Sequence, residues 1–285
     1  MIMSSTKVHP NLSANLRNIK NVVVVASGKG GVGKSTTSVN LALALSKQGA
    51  KVAMFDADIY GPSQPMMLGV KPGLRPQIVN GNQMEPIEAH GIKCNSVGFL
   101  VEENQAMVWR GPMVVGAFNQ ILNDTVWGDL DYLIIDMPPG TGDIQLSLAQ
   151  SVPVTGSVIV TTPQDVALLD AKRGIEMFRK VDIPILGVVE NMGIHICSEC
   201  GHSEHIFGEG GANRIAESYD VELLGALPLD SSIREQCDAG NPAVVAEPDG
   251  KIAEIYGQIA RRVAQQLGSD GVAQPVMPNI SISDD

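Results

Sequence analysis

Short apolar runs alternate with longer stretches in which apolar residues recur every three or four positions. Val22-Val23-Val24-Val25-Ala26 is the plainest of the runs. A run without polar alternation reads as a strand covered on both faces, the situation in a parallel sheet flanked by helices. The pattern predicts strands at Val22–Ser27, Val52–Asp56, Tyr132–Asp136, Ser157–Thr161, Leu186–Asn191 and Leu223–Leu227. Between them it predicts helices over Lys34–Gln48, within Trp109–Trp127 after the Gly111-Pro112 start signal, and over Val166–Val181. A last helix over Lys251–Leu267 carries Ile252, Ile255, Tyr256, Ile259 and Val263 at helical spacing. Its basic residues are few, so it reads as packing on the sheet rather than lying on a membrane surface. This alternation predicts an α/β fold, a mostly parallel twisted sheet with helices on both faces. From Gly69 to Val101 the pattern breaks up among Gly and Pro and reads as short strands and loops inserted beside the main sheet.

Composition narrows the class. A chain of 285 residues suits one large α/β domain. With 44% hydrophobic residues but 4% aromatics, the core must be built from Val, Ile, Leu, Ala and Met. The domain is expected over 21–267, with an insert carrying the Cys-x-x-Cys pair near 193–211, after a flexible N-terminal segment over 1–20 and before a disordered tail over 268–285 rich in Pro, Ser and terminal Asp. Acidic residues outnumber basic ones 31 to 20, a net charge of −11. That disfavours nucleic acid as a partner, which needs clustered cations. No apolar stretch is long enough to span a bilayer, and Met1 to Lys20 has no apolar secretion core. The expectation is a cytoplasmic protein without a membrane partner. Cys94, Cys197, Cys200 and Cys237 are then thiols or metal ligands rather than disulfides.

Residues 28–36, Gly-Lys-Gly-Gly-Val-Gly-Lys-Ser-Thr, fit the phosphate-binding pattern G-x-x-x-x-G-K-[ST]. Gly28, Gly30, Gly31 and Gly33 let backbone N–H groups turn inward around phosphates, with Val32 and Thr36 completing the loop. Lys34 reaches β- and γ-phosphates, Ser35 offers a hydroxyl to Mg²⁺, and Lys29 is an additional cation at the loop's start. The strand before and the helix after place a helix N-terminus at the phosphates. The fold is therefore expected to be that of a P-loop NTPase. Asp56 and Asp58 end the second strand, on one side by alternation. A carboxylate there can orient water for attack on the γ-phosphate or join the Mg²⁺ shell. Asp136 ends the next apolar run as a Mg²⁺ carboxylate, and Pro138-Pro139-Gly140-Thr141-Gly142 reads as a switch loop. Asn191 offers a donor and an acceptor suited to an adenine edge. Pro228-Leu229-Asp230 is a weaker candidate for the base pocket.

Cys197-Ser198-Glu199-Cys200 can hold one metal centre. A zinc site with His202 and His205 crowds four ligands into nine residues. A redox pair lacks the usual helix start. An iron–sulfur cluster wants four thiolates, which a twofold dimer supplies on its axis. The cluster is the preferred reading. Cys94 and Cys237 are expected to be structural.

The loop with its extra Lys29 resembles the deviant Walker A motif of the MinD, ParA and nitrogenase iron protein class. Within that class, 55–63, 136–143, Glu190-Asn191-Met192, Cys197–His202 and 206–211 resemble the Mrp/ApbC iron–sulfur carrier ATPases. The resemblance runs from about Asn21 to Leu267. Many members carry an additional N-terminal domain, for which the twenty or so residues before the first strand are expected to hold no counterpart. The resemblance implies a homodimer binding two MgATP, with Lys29 reaching the partner subunit's phosphates. It implies that Lys34 binds phosphate, that Ser35 and Asp136 organise Mg²⁺, that Asp58 positions the attacking water and that Asn191 contacts adenine. Cys197 and Cys200 of both subunits would bridge one [4Fe–4S] cluster, received from scaffold proteins and passed to apo-proteins. The alternatives are a MinD/ParA-like positioning ATPase, disfavoured by the acidic charge, and an ATP-dependent electron-transfer protein, disfavoured because these cysteines lie together.

Overall fold

The computed structural model describes residues 13–100, 111–197 and 199–268. The expectations for 1–12, 101–110 and 269–285 lie outside the described residues. Strands β1 (Ile19–Ala26), β2 (Val52–Asp56), β3 (Gln77–Val79), β4 (Gln83–Glu85), β5 (Ile87–Ala89), β6 (Ile92–Ser96), β7 (Leu130–Asp136), β8 (Gly156–Thr161), β9 (Ile185–Ile196), β10 (Ser203–Glu204) and β11 (Leu223–Pro228) succeed one another. They are interleaved with helices α1 (Lys34–Lys47), α2 (Gln64–Met67), α3 (Gly111–Asp124), α4 (Asp143–Gln150), α5 (Asp165–Lys180), α6 (Gly211–Tyr219), α7 (Ser231–Asp238), α8 (Ala243–Ala246) and α9 (Lys251–Gln266).

Nine strands among the described residues form the main sheet, with β1 between β7 and β8. The path runs β9-β8-β1-β7-β2-β6-β5, with β11 parallel beside β9. The pairings are parallel except at β5 and β10, which pair antiparallel with β6 and β9. Because β1 and β2 are separated by β7, the connection through α1 crosses over a strand. Such a sheet opens its ligand crevice at the carboxyl ends of the central strands.

The apolar run of β1 divides by alternation between two cores. Val22, Val24 and Ala26 pack with Phe55, Phe118, Trp127, Leu133, Ile175 and Phe178 on one face. Val23 and Val25 pack with Leu41, Leu45, Met54, Tyr256, Ile259 and Val263 on the other. Burial on both faces explains why this run shows no polar positions. Phe55, with ring centroids 5.2 Å from Phe118 and 6.1 Å from Trp127, anchors the first core.

The predicted strands and helices are present, with ends shifted by a few residues. The segment from Gly69 to Val101 needs correction. Only β3 and β4 stand apart as a hairpin, whereas β6 joins the main sheet parallel to β2 and β5 forms its edge. The β5–β6 turn places His90 and Gly91 at φ 48° and 79°, the two left-handed residues of a tight hairpin. Strands of three and five residues joined so abruptly leave too few positions for a period to show. The cysteine motif is also less of an insertion than expected. Strand β9 continues past Asn191 to Ile196, so Cys197 directly follows the sheet.

Candidate functional site

The loop after β1 has the conformation its glycines allow. Gly31 and Gly33 sit at φ 80° and 81°. A Cβ on Gly33 would lie 2.0 Å from Asn191 Nδ2, and one on Gly28 would lie 2.2 Å from the Asp170 backbone. Here the absence of a side chain is a packing requirement as well as a conformational one. Ser27 Oγ donates to the Lys29 carbonyl at 2.8 Å and closes the loop's base. Lys29 is half-buried, and its ammonium forms no hydrogen bond or ion pair with the described residues.

Lys34 is buried and its ammonium lies 2.6 Å from Asp136 Oδ1 and 3.1 Å from Ser35 Oγ. Asp136 is fully buried. Its Oδ1 also accepts from Ser38 Oγ at 2.8 Å, and its Oδ2 accepts from Gln64 Nε2 at 2.9 Å. The same Gln64 nitrogen donates to the Ser35 carbonyl at 3.0 Å. The structure thus brings Lys34, Ser35 and Asp136 together, as their sequence pattern led one to expect.

Asp56 and Asp58 have different surroundings. Strand alternation does not relate them, because Asp58 lies beyond the end of β2. Asp56 is wholly internal and accepts from the amides of Asp58, Ser63 and Gln64 and from Ser96 Oγ, at 3.0–3.1 Å. Burial, and then the Asp136 charge, push its carboxyl up to about 7. Asp58 lies at the rim and accepts from the Tyr60 and Gly61 amides at 3.2 Å. Burial raises its carboxyl above the ordinary value, and the Lys34 charge opposes that rise.

Three carboxylates therefore stand near one lysine in a place poor in water. The donors are hard oxygens, the set that Mg²⁺ prefers. The side-chain oxygen of fully buried Gln64 has no hydrogen-bond partner, although its own amide nitrogen touches Asp136 and Ser35. Excess buried negative charge together with an orphaned acceptor fits a cation bound with the nucleotide.

Asn191 Nδ2 donates to the Val32 carbonyl at 3.0 Å, and its Oδ1 accepts from the Met192 amide. One N–H of the side-chain amide thus grips the phosphate loop. Asp230 caps α7 through the Ser232 amide at 2.8 Å. The loop over 138–142 is fastened by the Gly140 amide to the Ser27 carbonyl at 2.9 Å. Gln145 bridges it as well, donating to Pro139 O and accepting from Gly142 N–H. Gln64, Ser38 and Gln145 escaped the sequence reading, since single polar residues within helices form no pattern.

The cysteines lie at the far end of β9. The Cys197 amide donates to the His202 carbonyl and the Gly201 amide to the Cys197 carbonyl, both at 2.9 Å. Backbone N–H groups of Cys200 and Glu199 point at the Cys197 sulfur and lower its thiol pKa. Such a turn favours the thiolate, the form that ligates metal. Cys200 is exposed. His205 Nδ1 is bound to the Gly193 carbonyl at 2.6 Å, and His195 Nδ1 to the Leu229 carbonyl at 3.2 Å. Among the described residues no three His, Cys, Asp or Glu side chains converge on one metal position. Cys94 and Cys237 are buried with raised thiols, as expected of structural cysteines.

A parallel sheet whose central strand feeds a glycine loop, an invading lysine and a facing strand-end carboxylate defines a P-loop NTPase. The comparisons narrow this. Residues 18–264 match the family described as NUBPL iron-transfer P-loop NTPase, and the chain belongs to that family. It is 63% identical over 245 residues to an iron-sulfur cluster carrier protein of Pseudomonas fragi, covering 86% of this chain and 85% of the relative. It is 50% identical over 256 residues to the iron-sulfur cluster transfer protein NUBPL of Mus musculus, covering 89% and 80%. A solved nucleotide-binding protein from Archaeoglobus fulgidus in complex with ADP superposes with a TM-score of 0.73 at 36% identity, over 85% of this chain and 94% of that one. The MinD protein of Pyrococcus horikoshii complexed with Mg-ADP follows with a TM-score of 0.66 at 25% identity, over 87% and 97%. No helix among the described residues is long and apolar enough to cross a membrane.

Proposed function

We propose that this chain binds and hydrolyses MgATP and, as a homodimer, carries an iron–sulfur cluster to apo-proteins in the cytoplasm. One observation carries the reading. Strand β9 holds the phosphate loop through Asn191 and, five residues later, ends at the thiol pair. A single strand thus meets both the nucleotide and the cargo site. The names of the relatives, cluster carrier and cluster transfer proteins, support the cargo assignment.

In this reading the loop amides and Lys34 bind the β- and γ-phosphates. Lys34 then exchanges its 2.6 Å contact with Asp136 for phosphate. Ser35, Asp136 and Asp58 would hold Mg²⁺, which would supply positive charge beside the phosphates. Asp58 orients the attacking water from the rim. Asn191 offers adenine the N–H that Val32 does not take. Lys29, without an ion pair among the described residues, reaches the partner subunit's phosphates and supplies positive charge to the transition state. Cys197 and Cys200 supply two thiolates, and a second copy completes the four that a [4Fe–4S] cluster requires. Nucleotide turnover changes the contacts of the loop over 138–142 and shifts β9 with the subunits, which alters how exposed the cluster is to an acceptor.

The test is anaerobic reconstitution with iron and sulfide, followed by metal and acid-labile sulfide analysis, native mass and transfer to an apo-protein with and without ATP. Four iron and four sulfide per dimer, lost in Cys197→Ala and in Cys200→Ala, are expected. Zinc without sulfide, or a monomer in every nucleotide state, overturns the reading.

A further inference from the structure

Neither phosphate binding nor water positioning accounts for Gln64 in the nucleotide site. It is completely buried, in the single turn of α2 between Ser63 and Pro65. Its Nε2 lies between two acceptors, the Asp136 Oδ2 at 2.9 Å and the Ser35 carbonyl at 3.0 Å. This pins the orientation of the amide, because the flipped form would set oxygen against two oxygens. Oε1 is then left without any partner. Gln48 and Gln164 also leave Oε1 unpartnered, but those residues are only partly buried, whereas Gln64 is wholly buried. A buried acceptor without a donor is unfavourable, and a glutamine needed merely as filling would be better replaced by leucine.

The position carries further information. Both groups that Gln64 grips belong to residues assigned to the cation, Ser35 through its backbone and Asp136 through its carboxylate. Its own amide is uncharged, so it adds an acceptor without adding a fourth carboxylate beside Asp56, Asp58 and Asp136. Its backbone is held too, by the Gln64 amide donating to Asp56 Oδ2 at 3.1 Å. The side chain therefore reaches the site from an anchored start.

We infer that Gln64 is a positioning residue for the nucleotide's divalent cation: Nε2 fixes the Asp136 carboxylate and the Ser35 backbone, and Oε1 accepts a hydrogen bond from a cation-bound water. The inference rests on the proposed MgATP site. It assigns to Gln64 a role that depends on metal, which separates it from a role in packing.

The experiment measures the affinity of the full chain for a fluorescent ADP, with Mg²⁺ and with EDTA, for wild type and Gln64→Leu. Wild type binds more tightly with Mg²⁺. In Gln64→Leu this Mg²⁺ enhancement falls about tenfold or more, the scale of a hydrogen bond to a charged group, while affinity in EDTA stays within about twofold. Mn²⁺ substituted for Mg²⁺ gives a second readout, an electron paramagnetic resonance spectrum that differs between the two proteins. If Gln64→Leu does not fold, Gln64→Met, of similar length and volume, is measured in its place. Undiminished Mg²⁺ enhancement in the variant overturns the inference. An equal loss in Mg²⁺ and EDTA also overturns it, since packing alone would do that. A wild type that binds ADP equally with and without Mg²⁺ overturns the cation site itself, a failure distinguishable from that of Gln64.

Discussion

Replacing Lys34 with alanine tests the buried charge arrangement directly, before any nucleotide is added. The ammonium and the Asp136 carboxylate are 6% and 0% exposed and lie 2.6 Å apart. Removing one partner of such a pair leaves the other charge buried without compensation, at a cost of about 3–5 kcal/mol. Ser38 and Gln64 continue to donate to Asp136, which argues for the lower end, about 3 kcal/mol. For a domain of this size each kcal/mol moves the melting temperature by about 2–4 °C, so a fall of about 6–12 °C is expected. Differential scanning fluorimetry of the nucleotide-free protein reads it. Lys34→Met retains most of the apolar stem, so its loss should be nearly as large if charge is responsible. A shift under about 2 °C in both variants would refute the reasoning, because it would mean that Asp136 does not depend on Lys34 in the apo protein.

Three other outcomes follow from the same geometry. Gly33→Ala must both accommodate φ 81° and displace the Asn191 amide, 2.0 Å from the new Cβ; isothermal titration should show ADP affinity lowered at least about tenfold, and unchanged affinity would contradict the loop packing. Asp56, raised to about 7 in the folded chain against about 4 when unfolded, binds more protons in the native state between those values. Its contribution is complete below about pH 4 and disappears as pH rises through 7, with a slope of at most about 1.4 kcal/mol per pH unit; urea titrations of the apo protein across this range should show stability decreasing with pH from this group, and Asp56→Asn should flatten the slope. Iodoacetamide at neutral pH should alkylate Cys197 in a fast phase that Cys197→Ala removes, while buried Cys94 and Cys237, the latter pushed up to about 11, react only after unfolding.

Much of this site could be read from the chain because local physics imposes it. A loop that wraps phosphate needs glycine at positions of positive φ, and a strand buried on both faces needs an unbroken apolar run. Gly31, Gly33, Lys34, Ser35 and Asp136 were accessible for that reason. The difference between Asp56 and Asp58 was not. In the sequence both look like strand-end aspartates, and only the folded turn over 58–64 aims the Asp58, Ser63 and Gln64 amides at internal Asp56 and those of Tyr60 and Gly61 at Asp58 near the rim. The β5–β6 edge was hidden in the same way, since an antiparallel pair of short strands depends on its neighbour β2 for its burial.

The sequence alone determined the element order, the phosphate loop and the pairing of two cysteines, because each depends on residues adjacent in the chain. Tertiary structure decided that Asn191 grips Val32 across 159 positions and that Gln64 meets Asp136 across 72. It also decided that one strand runs from the loop to the thiols. Those contacts join residues whose separation carries no period, and they arise only when the sheet brings its strand ends to one edge.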